Sequence, residues 1–192
     1  MTVLWVPQAM QRPFPSLTVT DRHSAEVILK DHRSEVDWVL SLGGDSPAAG
    51  FETVAKDRRL WLGFDDLDRP RLGYQIPEMP DIESIIAFGA RWAEGKLLVH
   101  CAAGQSRSTA AALLILAARY GSGGEATAVE HLFQALKESE AACVRPPDIK
   151  PFPNRRMVWL GDAALHRRGL LWSILVNRMP EGYVRGFDPP AW

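Results

Sequence analysis

The chain has 192 residues, 46% of them apolar and 23% charged, with a net charge of −1; this composition suits an ordinary soluble domain long enough to bury a core without covalent staples. Near-neutral charge gives no electrostatic ground for holding nucleic acid or an anionic membrane surface. Two cysteines, Cys101 and Cys143, exclude a disulfide framework, and no Cys/His cluster stands at metal spacing.

From the N-terminus, MTVLWVPQAM lacks the basic start and long apolar run of a signal peptide. No apolar stretch in the chain reaches the ~20 residues of a membrane span, so a cytoplasmic protein is expected. Residues 1–16 carry Pro7, Pro13 and Pro15 and read as an N-terminal loop or edge segment of a single domain over 1–192. SLTV (16–19) reads as a short strand and SAEVILKDH (24–32) as a short helix. VDWVLSLGG (36–44) is β-branched and aromatic, ends at Gly43–Gly44, and predicts a buried strand. RRLWLGF (58–64) alternates in the strand manner, with Leu60, Leu62 and Phe64 on one face.

The segment 65–80, DDLDRPRLGYQIPEMP, holds three prolines and a glycine and must be a loop. A helix follows from about Asp81, with Ile82, Ile85, Ile86, Gly89 and Trp92 on one face, Asp81 as its N-cap behind Pro80, and Gly95 as its end. KLLVHC (96–101) is the continuous apolar kind of strand that is covered on both faces. The remainder is helical: 108–121, 125–142, a segment carrying Met157, Leu160, Ala164 and Leu165 after the break RPPDIKPFP, and LLWSILVNR (170–178). Residues 180–192 read as a C-terminal tail. Strand, loop, helix and strand in this order predict an α/β fold. Its centre is a mostly parallel sheet of four to five strands flanked by helices, with a helical C-terminal half.

The chemistry concentrates in LLVHCAAGQSRSTAAALLIL, residues 97–116. A strand entering a short loop and then a helix gathers backbone N–H groups around one point at the helix N-terminus, which favours an anion. Gly104 lets the backbone curl closely, Ala102 and Ala103 leave room, and Gln105 and Ser106 complete the turn. Arg107 offers a planar fork matched to two oxygens of a phosphate. The same positive field favours a thiolate at Cys101, in line for attack on phosphorus. The competing reading of Cys101 is a small apolar core residue, which leaves Gly104, Arg107 and Ser108 without a purpose.

His100-Cys101, five intervening residues, then Arg107-Ser108 resembles the signature of the cysteine-dependent protein tyrosine phosphatases. HCAAGQSRS is most similar to the dual-specificity branch and to small bacterial tyrosine phosphatase-like proteins. The resemblance extends in order of elements over residues 36–140, with close motif identity over 97–109. It implies Cys101 as nucleophile, the loop 102–107 as phosphate cradle, and Ser108 as the hydroxyl that assists departure of the thiolate. Ser108 also suits a capping role at the start of its helix. For His100 the resemblance implies hydrogen bonding that shapes the loop and supports the thiolate, beside the plainer reading of a core histidine.

Phosphate-ester cleavage also needs a carboxylic acid for the leaving oxygen, and the resemblance places it upstream of the cysteine. The alternation of Leu60, Leu62 and Phe64 points to Asp66, with Asp68 and Asp65 as the other candidates. The expected activity is phosphomonoester hydrolysis through a phosphocysteine, on a phosphoprotein or a small phosphomonoester, with no metal or cofactor. A phosphate-recognition module without turnover is the alternative. The neutral loop positions Ala102, Ala103, Gln105 and Ser106 argue against polyphosphorylated inositols, whose phosphatases resemble one another in placing lysines there. Arg155 and Arg156 either reach toward the phosphate site or simply open a helix capped by Asn154, and Cys143 is either a resolving thiol or a plain cysteine.

Overall fold

The structure is a computed structural model that describes residues 15–142, 144, 145, 147 and 150–189. Four strands make its sheet: β1 (Leu17–Asp21), β2 (Val36–Leu42), β3 (Arg59–Leu62) and β4 (Lys96–Cys101). They lie in the order β1-β4-β2-β3, and every neighbouring pair is parallel. β4 is buried from Leu97 to Cys101 because strands flank it on both edges and helices cover both faces.

Side chains alternate between those faces. Leu97, Val99 and Cys101 join Leu17, Val19, Leu40 and Leu42 in the larger core. Leu98 and Val39 face the other way, against Ala25 and Leu29 of α1 (Arg22–Lys30). The larger core is closed by α2 (Met79–Arg91), α3 (Arg107–Tyr120), α4 (Glu125–Ala141), α5 (Arg155–Ala164) and α6 (Leu170–Arg178). α3 is buried without a break from Arg107 to Ala117, since the sheet, α2, α4 and α5 all pack against it. Its alanine-rich sequence suits that crowding. The α/β fold with a parallel sheet and a helical C-terminal half is the one the sequence predicts.

Register then fixes where chemistry can occur. Asp21 pairs with Cys101, and Ser41 with His100, so β1, β4 and β2 end together. Ligands of open parallel sheets bind at such carboxyl ends, where loops and helix N-termini converge.

Two boundaries differ from expectation. The N-cap of α2 is Glu78, and Asp81 is the third helical residue, its Oδ2 accepting from Glu78 N at 2.9 Å in a reciprocal capping box. Pro80 lies inside the first turn, where its missing N–H has no helical partner to lose. The helix ends at Arg91 with Trp92 as C-cap, and Gly95 belongs to the turn into β4. The tail is also more than an appendage, because Tyr183 is buried and its hydroxyl donates to Pro153 O at 2.7 Å. Among the described residues, no helix is long and apolar enough to cross a membrane.

Candidate active site

Cys101 ends β4 and Arg107 begins α3, so Ala102 to Ser106 form one tight turn between them. Four of its carbonyls point outward into protein donors. Ala102 O accepts from Arg22 N (3.2 Å), Gly104 O from the buried Arg145, Gln105 O from Phe152 N (2.9 Å), and Ser106 O from Asn154 N (3.2 Å). A peptide N–H points opposite to the carbonyl it is bonded to, so the N–H groups that follow face the inside of the turn. Among the described residues, no N–H from Ala103 to Ser106 donates to a protein acceptor. Gly104, at φ +67°, presses against the end of β1, where a Cβ would lie 2.6 Å from Asp21 N; only glycine allows that approach. Ala102 and Ala103 are exposed at the rim, and Gln105 and Ser106 half-buried.

Arg107 is 7% exposed. Its Nη1 donates to Phe64 O at 2.7 Å, while its Nε has no hydrogen-bond partner among the described residues and lies 3.8 Å from Asp66 Oδ2. The guanidinium rests on Gly43, where an added Cβ would fall 1.7 Å from Nη1. One edge of the fork is therefore anchored and the other left for a ligand. Cys101 Sγ, buried at the floor, is 3.2 Å from Ser108 Oγ.

The three aspartates separate cleanly. Asp66 leans over the turn, its Oδ1 accepting from Ser106 Oγ (2.6 Å) and from Asn154 Nδ2 (2.9 Å). Asp68 pairs with Arg155, and Asp65 Oδ2 accepts from Gln75 N at 2.9 Å, closing the base of the loop. Asn154 has two duties, because its Oδ1 also caps α5 by accepting from Met157 N at 3.0 Å. Arg156 donates to Pro77 O and does not approach the turn. A cleft of about 230 Å³ opens beside these groups, lined by Asp66, Asp68, Ser106, Phe152, Asn154 and Arg155.

Sequence reading missed Gly43, Arg145 and the bond from Asn154 to Asp66. Gly43 belongs to a glycine pair that reads simply as the end of a strand, and Arg145 stands in a proline-rich break, its bond to Gly104 O reaching across 41 residues of chain. The redox reading of Cys143 lies outside the described residues.

His100 lies on the opposite face of the sheet from Cys101. Its alternation with Cys101 sends it to the α1 side of the sheet, and neither ring nitrogen finds a hydrogen-bond partner among the described residues. Its burial suits the plainer reading of a core histidine. Burial pushes its pKa down to about 4 from 6.5, keeping the ring neutral. Between pH 6.5 and about 4 the unfolded chain takes up a proton that the folded chain refuses, so stability falls as pH falls through that window. The loss reaches roughly 3 kcal/mol at the acid end of that window. Denaturant midpoints across this range should show His100→Asn losing less stability on acidification than wild type; equal losses would refute the assignment.

No protein-family model matches the chain, and no curated protein matches it in sequence. Solved structures do match in fold. The phosphatase domain of Yvh1 from Chaetomium thermophilum is similar at TM-score 0.50 and 20% identity, over 83% of this chain and 96% of that domain. Human DUSP28 aligns at TM-score 0.41 and 18% identity, over 86% of this chain and 97% of that one. The fold is thus of the dual-specificity-phosphatase type.

Proposed function

We propose that the chain is a cysteine-dependent phosphomonoester hydrolase that needs no metal. The observation that carries this reading is the Arg107 guanidinium: buried, fixed by Phe64 O, and held with a free Nε between the turn and Asp66. Burying a cation with an unused donor is costly unless an anion completes it. The inward N–H groups and that fork together suit three equatorial phosphate oxygens.

In the first step Cys101 Sγ attacks phosphorus as a thiolate and the P–O bond to the leaving group breaks. Asp66 protonates the departing oxygen through Oδ2, because Oδ1 is occupied by Ser106 and Asn154. The alcohol or phenol leaves, and phosphocysteine remains. Water then attacks phosphorus, its proton goes to Asp66, and the S–P bond breaks to return the thiolate and release inorganic phosphate. Ser108 Oγ, 3.2 Å from Sγ, stabilises the departing sulfur by donating to it. Positive charge comes from Arg107 and backbone dipoles, the part a metal ion takes in other phosphoryl transfers. Phosphoproteins and small phosphomonoesters are the substrate class, as neutral side chains at Ala102, Ala103, Gln105 and Ser106 offer nothing to a polyphosphorylated ring.

Asp66→Asn tests the scheme. With chelator present, kcat for phenyl phosphate should fall about 10²-fold, and for 2,4-dinitrophenyl phosphate only a few-fold, since that leaving group needs no proton. Wild-type turnover that requires added divalent metal would falsify the mechanism. A binding module without turnover needs the cradle but has no use for a carboxylate held over it by two donors.

A further inference from the structure

Asp66 sits on a loop, 65–78, with no regular structure and with Leu72 fully exposed at its tip. Such a segment moves unless tied down, and a proton donor must be in reach when the leaving bond breaks. What ties it down lies beyond the turn and Asn154.

We propose that Arg155 is a positioning residue that clamps the acid loop to the C-terminal segment; the inference rests on the hydrolase reading above. Arg155 reaches Asp68 through Nη2, and through Nη1 it donates to Tyr183 O (3.1 Å) and Arg185 O (3.0 Å). Its guanidinium lies over the Phe187 ring at 5.2 Å. Both members of the ion pair are shielded, with side chains 17% and 22% exposed. Arg69, the next residue of the loop, donates to Gly186 O. The segment that receives these bonds is itself anchored: Tyr183 is buried, packs edge-on against Phe152 at 4.9 Å, and donates to Pro153 O. Residues 152–154 in turn hold the carbonyls of Gln105 and Ser106. One chain of contacts thus joins acid loop, C-terminal segment and phosphate turn.

Helix stability does not explain this arginine. It is the first residue of α5, where the macrodipole disfavours a cation. The helix is capped by Asn154, not by Arg155. Arg155 engages the Asp68 carboxylate, whereas Asp66 bonds the turn itself through Ser106 Oγ.

The test compares wild type, Arg155→Met, Asp68→Asn and the double variant on phenyl phosphate and 2,4-dinitrophenyl phosphate, with orthovanadate as the probe of an intact cradle. Loosening the clamp should lower kcat for phenyl phosphate about 10-fold, with KM and vanadate affinity unchanged, and lower kcat for the dinitrophenyl ester less than about 3-fold. The double variant should be no slower than the worse single, because both break one clamp. The basic limb of the pH–rate profile should persist in Arg155→Met and Asp68→Asn, since the acid is still present but less often in place. Equal slowing on both esters, or weakened vanadate binding, would show that Arg155 serves the cradle and overturns the inference. Disappearance of the basic limb in Asp68→Asn would make Asp68 the proton donor and overturn it too. Wild type inert toward both esters would instead remove the hydrolase reading, and this inference with it.

Discussion

Cys101→Ser is expected to lower turnover of any aryl phosphate by more than about 10⁴-fold while leaving the fold and the phosphate site in place. Serine is nearly isosteric, but its hydroxyl does not ionise at neutral pH, and among the described residues no histidine or carboxylate hydrogen-bonds to Cys101 Sγ to serve as base. Its hydrogen-bond partner, Ser108 Oγ at 3.2 Å, is itself a hydroxyl. The substitution should be mild for stability, because the new hydroxyl is buried where Ser108 can pair with it. Thermal melts and inorganic-phosphate binding should therefore match wild type, and a phosphorylated substrate should bind without being consumed. Acid quench of wild type during turnover of a labelled ester should trap phosphate on the protein, and the same quench of Cys101→Ser should trap none. Residual turnover above about 1% of wild type would mean that the covalent step runs elsewhere. Wild type that binds phosphate as tightly as the variant and turns over no more would favour the recognition module.

How far the sequence reaches depends on how local the relevant physics is. The turn from Cys101 to Arg107 is legible because strand, tight turn and helix N-terminus are consecutive, and their backbone directions create the cradle. Strand alternation points to Asp66 among the three aspartates, yet that reasoning does not show what holds Asp66. Its partners Ser106 and Asn154 lie on the phosphate turn and before α5, far away in the chain. In the sequence Gly43 marks where a strand stops, and it does lie just past β2; its service to Arg107 exists only after β2 and β4 are registered side by side. His100 is the opposite case. Its period-two partner Leu98 faces α1, so alternation along KLLVHC places the imidazole away from the turn, against what its neighbour Cys101 suggests. At α2 the cap lies three residues before the Asp81 that the sequence suggests, because proline marks a boundary in sequence patterns although the first helical turn accepts it.

The second large loss is expected at Arg107. Arg107→Lys keeps the charge but forfeits the geometry, since an ammonium cannot bond Phe64 O and still present two parallel donors to phosphate. Removing one preorganised donor from a charge-developing site costs about 10²–10³-fold in kcat, and a loss of that size is expected here with both esters alike. Losses on both esters distinguish this site from Asp66, whose effect follows the leaving group. A subtler route to the same defect leaves the arginine untouched. Gly43→Ala would put a methyl 1.7 Å from Arg107 Nη1, which forces the guanidinium off Phe64 O. Gly44→Ala is the matched control: its φ of +76° is as unfavourable for alanine as the +83° of Gly43, but the nearest atom to its added Cβ is Arg22 Nη1 at 3.0 Å. Both variants should lose roughly 1 kcal/mol of stability from backbone strain. Only Gly43→Ala should also lose activity and vanadate binding by an order of magnitude or more, because only there does the added carbon occupy the floor beneath the fork. If the two alanines were equally active, the orientation of Arg107 would not depend on Gly43, and the anchored guanidinium could no longer carry the hydrolase reading.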